Sequence, residues 1–209
     1  MNRNLTILGL VLGAFAVATE ASAQKVELTP HIGYRFGGGM TDYYTGVDYD
    51  FNDSETYGLT LNYTLGLMGD TQLDLSWSRQ ETEMDVSGDY PRDTFDVTVD
   101  YWQAGGLKQW NEDESVRPFL IGSLGAAHFS PGPEDLSSAT RFALALGGGV
   151  KILPGEHIGI RLQGKLYGTY ASGGGAVFCG GGGCAFGFGG NFMWQAEFSA
   201  GVIIAFGDS

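Results

Sequence analysis

Three groups of residues in this 209-residue sequence have types and spacings that suit chemistry. His128 and Ser130 stand two apart in His128-Phe129-Ser130. Residues two apart on a strand share a face, so the imidazole is placed to take a proton from the hydroxyl and make it a nucleophile. Cys179 and Cys184 bracket four consecutive glycines. In an oxidising compartment such a pair closes as a disulfide, and the glycines allow the tight turn that so small a ring needs. Zinc binding would need about four ligands, with no His close by, and redox catalysis would need a C-x-x-C spacing. The third group, Asp48, Asp50 and Asp53, lies with Asp42 and Glu55 in a stretch without a base. Oxygen-rich loops hold Ca²⁺ or Mg²⁺. The spacing is not that of an EF-hand, and a solvated, self-repelling loop accounts for the same residues. No cofactor is expected.

The elements that must position these groups are strands. Glycine supplies 35 of the residues, which disfavours long helices, because Gly costs about 1 kcal/mol per helix position relative to Ala. There is no glycine period of three, so collagen is excluded. The apolar share of 43% is too high for simple disorder. The net charge of −13 excludes the usual nucleic-acid binder, which neutralises phosphates with Lys and Arg.

Residues 1–23 read as a secretory signal peptide. An apolar run from Leu5 to Ala18 follows Arg3, and Ala21-Ser22-Ala23 is a small-residue cleavage site. The run is short of the roughly 20 residues a spanning helix needs. Residues 24–209 are then one domain, and any membrane span in it is β.

Eight segments alternate with period two, the mark of strands with one apolar face. The apolar parities are Val26, Leu28, Ile32, Tyr34 and Phe36; Tyr57 to Leu65; Leu73, Leu75 and Trp77; Phe95, Val97, Val99 and Tyr101; Leu120 and Leu124; Phe142 to Ile152; Ile158 to Tyr170; and Phe192 to Phe206. Long connections at 37–55, 84–93, 130–140 and 171–190 alternate with shorter ones, the plan of an outer-membrane barrel. The expected fold is all-β, an eight-stranded antiparallel up-and-down transmembrane β-barrel following a cleaved signal peptide. An aromatic stands nearest the long-loop end on seven segments, Phe95 among them, with Tyr101, Phe206 and Trp110 toward the other end, as girdles at the two interfaces of a membrane would require.

The opposite parity faces the lumen. It carries Lys25, Arg35, Arg117, Lys151, Arg161 and Lys165 against Glu27, Asp74, Asp96, Asp100 and Glu197, a nearly neutral set. Eight strands leave an interior just wide enough for side chains to fill, which favours a salt-bridged plug over a narrow ion path. The acidic excess then falls on loops and rims.

Arg117-Pro118-Phe119-Leu120, Gly122-Ser123-Leu124-Gly125-Ala126 and the closing Gly201-Val202-Ile203-Ile204-Ala205-Phe206, with the leader and the eight strands, resemble the small outer-membrane β-barrel superfamily of OmpA N-terminal, OmpX-like and OmpW-like proteins. The resemblance covers residues 24–209. It implies the outer membrane of a Gram-negative bacterium, loops outside and termini in the periplasm. It also implies contact with lipid and lipopolysaccharide, insertion by the barrel-assembly machinery, an extracellular partner of unspecified kind, and divalent cations at the acidic loops. Such proteins usually end on an aromatic, whereas here Phe206 is followed by Gly207-Asp208-Ser209.

The H-x-S pair, in turn, resembles that of the lipid A deacylase family, which also orients its His with a Glu expected on the neighbouring strand. Thr140 to Ile152 carries no acid. His128 then reads as a belt residue where other strands place an aromatic. The expected role is non-enzymatic, acting through loops in envelope structure or surface interaction. The alternatives are an OmpW-like conduit for small hydrophobic molecules and a lipid A-modifying hydrolase.

Overall fold

Alternation along the chain becomes a closed wall of strands. The computed structural model describes residues 26–41, 48–65, 71–87, 93–111, 114–132, 137–155, 157–170, 178–180, 183–185 and 192–207. The expected leader lies outside them. The strands are β1 (Val26–Gly37), β2 (Met40–Thr41), β3 (Asp48–Phe51), β4 (Ser54–Thr64), β5 (Thr71–Ser87), β6 (Asp93–Gln109), β7 (Val116–Pro131), β8 (Ala139–Ile152), β9 (Ile158–Tyr170), β10 (Phe178–Gly180), β11 (Gly183–Ala185) and β12 (Phe192–Phe206).

Eight of these make the barrel. Antiparallel neighbours run β1-β4-β5-β6-β7-β8-β9-β12, and β12 closes back on β1 with Val26 opposite Phe206 and Gly37 opposite Gln195. Closure leaves no free edge, so every strand finds backbone partners on both sides, as a hydrocarbon surround demands.

β5 and β6 have 17 residues each, more than the roughly 9–11 that cross a bilayer. Their excess stands at the long-loop end, where the end of β5 also pairs with β3, placing Phe51 opposite Met84. Residues 84–87 and 93 of the connection expected at 84–93 are therefore strand, and the first long connection contains β2 and β3.

The two faces of the wall differ in kind. Outward Ile32 is 72% exposed and Phe198 65%, whereas inward Arg35 is fully buried. Apolar outside and charged inside is the reverse of a water-soluble barrel and suits a wall bathed in hydrocarbon. Inward glycines make room for large neighbours. A Cβ on Gly58 would lie 2.7 Å from Nε2 of His31, and one on Gly147 would lie 2.9 Å from Cγ of Lys165.

Candidate functional site

The lumen is crossed by three layers of charge. Nearest the termini, Lys151 of β8 donates to Glu27 of β1 at 2.5 Å, to Gln72 at 2.7 Å and to Gln109 at 3.4 Å. Gln72 in turn donates to Glu27 at 3.2 Å. At mid-height Arg161 of β9 meets Asp74 of β5 at 3.2 Å and donates to Asn62 at 2.6 Å, while its guanidinium lies over the Phe119 ring. Lys165 also faces Asp74, at 3.9 Å, and donates to Ser76 at 3.1 Å. In the third layer Arg35 of β1 gives two hydrogen bonds to one oxygen of Glu197 on β12, at 3.1 and 2.6 Å, and further bonds to Gln80 and Ser78. Its guanidinium stands 4.7 Å from the Tyr101 ring centre and 5.1 Å from that of Tyr167.

These seven charged side chains are between 0 and 4% exposed. A side chain lining a continuous water path would be wet, so none passes these layers. Above them the lumen turns apolar. Phe51, Met84, Val97, Val99, Ala127, Phe129, Ala143 and Met193 pack with Tyr101 and Tyr167 into one cluster. β3 supplies Phe51, which meets Phe129 with ring centres 6.0 Å apart.

Glu27, Arg35, Asp74, Lys151, Arg161, Lys165 and Glu197 thus come together in the lumen, Lys25 lies outside the described residues, and the other three expected lumenal residues do not join them. β6 is inverted relative to the expectation. Val97, Val99 and Tyr101 are at most 1% exposed inside, while Trp102 is 58% exposed outside. Asp100 therefore belongs to the outer face, where Arg79 donates to both its oxygens at 2.9 and 2.8 Å and Trp77 donates at 3.0 Å. Asp96 is exposed on the part of β6 that extends beyond the barrel and pairs with Glu83. Arg117 sits at the rim near the termini and donates to the carbonyl of Glu114. Tyr101 and Phe95 leave the girdle, and Trp102 takes the place on β6.

Elsewhere the girdle rings touch in runs. Tyr57, Trp77 and Trp102 contact in sequence with ring centres 6.0 and 5.9 Å apart, and Tyr170, Phe192 and Trp194 do so at 5.5 and 5.7 Å. A polar row lies beside it toward the long loops. Tyr57, Arg79, Asp100, His128 and Thr140 are successive cross-strand neighbours on β4 to β8. Sequence reasoning missed Arg79. Its signal was a lone cation two residues beyond Trp77 on an apolar parity, which demands a partner on an adjacent strand.

His128 and Ser130 share that outer face. The acid beside them is Asp100, directly opposite His128 on β6 rather than on β8. Its oxygens are held by Arg79 and Trp77, and Nδ1 of His128 lies 2.8 Å from Oγ of Thr140. A Ser-His-acid relay needs the carboxylate on one imidazole nitrogen and the hydroxyl on the other. Here the same groups brace one another along the belt.

Of the acidic candidates, Asp53 accepts from the backbone N–H of Gly37 at 2.9 Å, capping the end of β1. Asp50 is exposed opposite Asp85, and Asp48 lies opposite Ser87 in the backbone register. Among the described residues no three His, Cys, Asp or Glu side chains are grouped to hold a metal ion. Asp42 lies outside the described residues. In the last long connection β10 and β11 form a two-stranded hairpin whose backbone register sets Cys179 opposite Cys184.

No protein-family model and no curated protein matches the sequence. Solved structures do match the fold. OprG, an outer membrane protein from Pseudomonas aeruginosa, aligns with a TM-score of 0.62 at 10% identity, over 90% of this chain and 98% of its own. Neisserial surface protein A aligns with a TM-score of 0.56 at 14% identity, over 88% and 98%. The outer membrane protein AlkL, determined in lipid bilayers, aligns with a TM-score of 0.53 at 10% identity, over 92% and 95%. The chain has the fold of the small outer-membrane β-barrels.

Proposed function

We propose that this chain is an integral outer-membrane barrel whose wall and plug serve as a rigid mount for its long-loop end, which acts in envelope structure or surface interaction. The observation that carries this reading is the combination of a filled lumen with β5 and β6 extended beyond it. Arg35, Lys151 and Arg161 are each at most 2% exposed, so the interior offers no path for a solute. The sequence instead places its acid on the extension: Glu81, Glu83 and Asp96 are all exposed there. That extension, with the residues that join it, is the surface presented to partners and to lipopolysaccharide, with the termini on the periplasmic side.

A non-catalytic role fits the belt, because Asp100, His128 and Thr140 are engaged in bracing contacts. The conduit reading draws on the apolar upper lumen. Against it, Val99 and Ala127 are fully buried and Tyr101 is 1% exposed, so this region is packed rather than open.

Loop replacement tests the reading. A variant with residues 82–97 replaced by a short turn retains the eight-stranded wall. It should insert into the outer membrane yet fail to restore the barrier to detergents and antibiotics in a strain lacking the protein. Full restoration by the trimmed barrel would overturn the proposal.

A further inference from the structure

Charge in the closed lumen does not balance. Among the described residues four buried cations, Arg35, Lys151, Arg161 and Lys165, face three buried carboxylates, Glu27, Asp74 and Glu197. Two of the pairs are complete, Arg35 with Glu197 and Lys151 with Glu27. The surplus is at mid-height, where Arg161 and Lys165 share Asp74. Arg161 has the closer hold, at 3.2 Å, and Lys165 stands off at 3.9 Å without a hydrogen bond to that carboxylate. A buried cation with a fraction of a partner carries most of its desolvation penalty uncompensated.

The groups around the Lys165 ammonium are short of partners too. Its hydrogen bond goes to Ser76, and Ser76 lies directly opposite Gln103 on β6 and Thr60 on β4. Gln103 is 5% exposed, and neither its amide nitrogen nor its amide oxygen has a hydrogen-bond partner in the protein. The hydroxyls of Thr60 and Ser123 are likewise buried without partners. Ser123 sits opposite Gly105, two residues along β6 from Gln103 on the same face. Buried polar atoms left unpaired in this way are rare and costly. Four such atoms, on β4, β6 and β7 around the Ser76 that takes the Lys165 hydrogen bond, mark a place built for something small and polar. The donors there are an ammonium, an amide N–H₂ and three hydroxyls, and the local charge is positive. Gly147, directly opposite Lys165 on β8, lets the lysine stem pass close to the wall, since a Cβ there would lie 2.9 Å from its Cγ.

We propose that the mid-lumen binds a small monovalent anion of halide type, held by the Lys165 ammonium with the Gln103 amide and the Ser76, Thr60 and Ser123 hydroxyls as donors. The ion completes the charge count and uses donors that no protein group takes up. Asp74 bonds Arg161 and Asn62 through Oδ2, while its Oδ1, buried without a hydrogen-bond partner, stands 3.9 Å from the Lys165 ammonium. The site is enclosed, so exchange follows opening of the barrel wall and is slow. It is separate from any action of the loops.

The experiment uses the full mature barrel folded in detergent micelles, with sodium chloride or bromide compared against sodium gluconate at equal ionic strength. A ligand that binds only the folded state lowers the unfolding constant by one plus the ratio of its concentration to its dissociation constant, about tenfold at ten times that constant. Wild type should be more stable in halide by such a factor, and K165Q and Q103L should each lose the difference. Crystals grown in bromide should show one anomalous peak beside Lys165. Should K165Q fail to fold, Q103L and the bromide peak still decide. An equal salt response in wild type and Q103L, or a bromide-grown crystal with water alone beside Lys165, would overturn the proposal.

Discussion

Arg35 packs against the paired rings of Tyr101 and Tyr167, whose centres are 4.3 Å apart, and spends two of its N–H groups on one oxygen of Glu197. Three strands far apart in sequence are tied at this point: β1, β12 and, through Gln80 and Ser78, β5. The rings hold the guanidinium plane, and the carboxylate cancels its charge where water does not reach. The barrel stays shut here because leaving either partner alone is worse than keeping both.

Removing one partner should therefore be far more damaging than removing both. Glu197→Gln is expected to lower unfolding stability by about 3–5 kcal/mol, the usual cost of stranding a buried charge. The double variant R35M/E197Q should recover at least half of that loss. Urea unfolding of the refolded barrel in micelles measures both. Single and double variants of equal stability would show that the pair is not coupled.

The outer pair behaves differently because Arg79 is 37% exposed and can turn to water or a lipid phosphate. Asp100 itself is 7% exposed and also accepts from Trp77, so Asp100→Ala should cost about 1–2 kcal/mol, above an exposed pair and below a stranded lumenal charge. Val99→Asp, one residue away on the lumenal side, should prevent folding or cost several times as much. A large loss for Asp100→Ala with a small one for Val99→Asp would restore the opposite facing of β6.

Depth-dependent quenching checks the girdle independently. With Trp77, Trp110 and Trp194 replaced by Phe, Trp102 should be quenched strongly by lipids brominated near the headgroup and weakly by those brominated at the chain ends. Emission typical of a buried indole with no lipid quenching would place Trp102 in the lumen.

The backbone register of β10 and β11 sets Cys179 opposite Cys184, and the bacterial envelope outside the cytoplasm supplies oxidising conditions. Protein taken from intact cells without reductant should carry a Cys179–Cys184 cross-link, seen by mass spectrometry as a loss of two hydrogens from the peptide containing both. Its reduction should leave barrel unfolding unchanged within about 0.5 kcal/mol, because so short a ring within a surface hairpin constrains little of the unfolded chain. Free thiols at both positions would remove the cross-link.

Most of the wall was legible in the sequence, because a strand with one apolar and one charged face states its own orientation. Ile32 against Arg35 and Leu162 against Arg161 and Lys165 leave no ambiguity. β6 was not legible by that rule. Both its faces carry apolar bulk, Val97, Val99 and Tyr101 on one and Trp102 on the other, and its carboxylate Asp100 is on the face a membrane barrel turns to lipid. What sets its direction is non-local: an apolar upper lumen, supplied partly by Phe51 from a loop strand, and Arg79 waiting on β5. The extra length of β5 and β6 was hidden for a related reason. Beyond the lipid no apolar face needs to be maintained, so the alternation that marks a strand fades while the hydrogen bonding continues. The interior network was read as a set of charges, but its pairing was out of reach, since strand tilt decides which residues meet across the lumen.

The filled lumen is the central claim, and single-channel recording in planar bilayers tests it most directly. The purified mature barrel, inserted at high protein-to-lipid ratio in 1 M salt (roughly a 3 Å screening length), should show no current steps of the size given by a general porin. Variant E197Q, with Arg35 unpaired, should give at most brief openings. Sustained porin-sized steps from the wild-type protein would contradict the account.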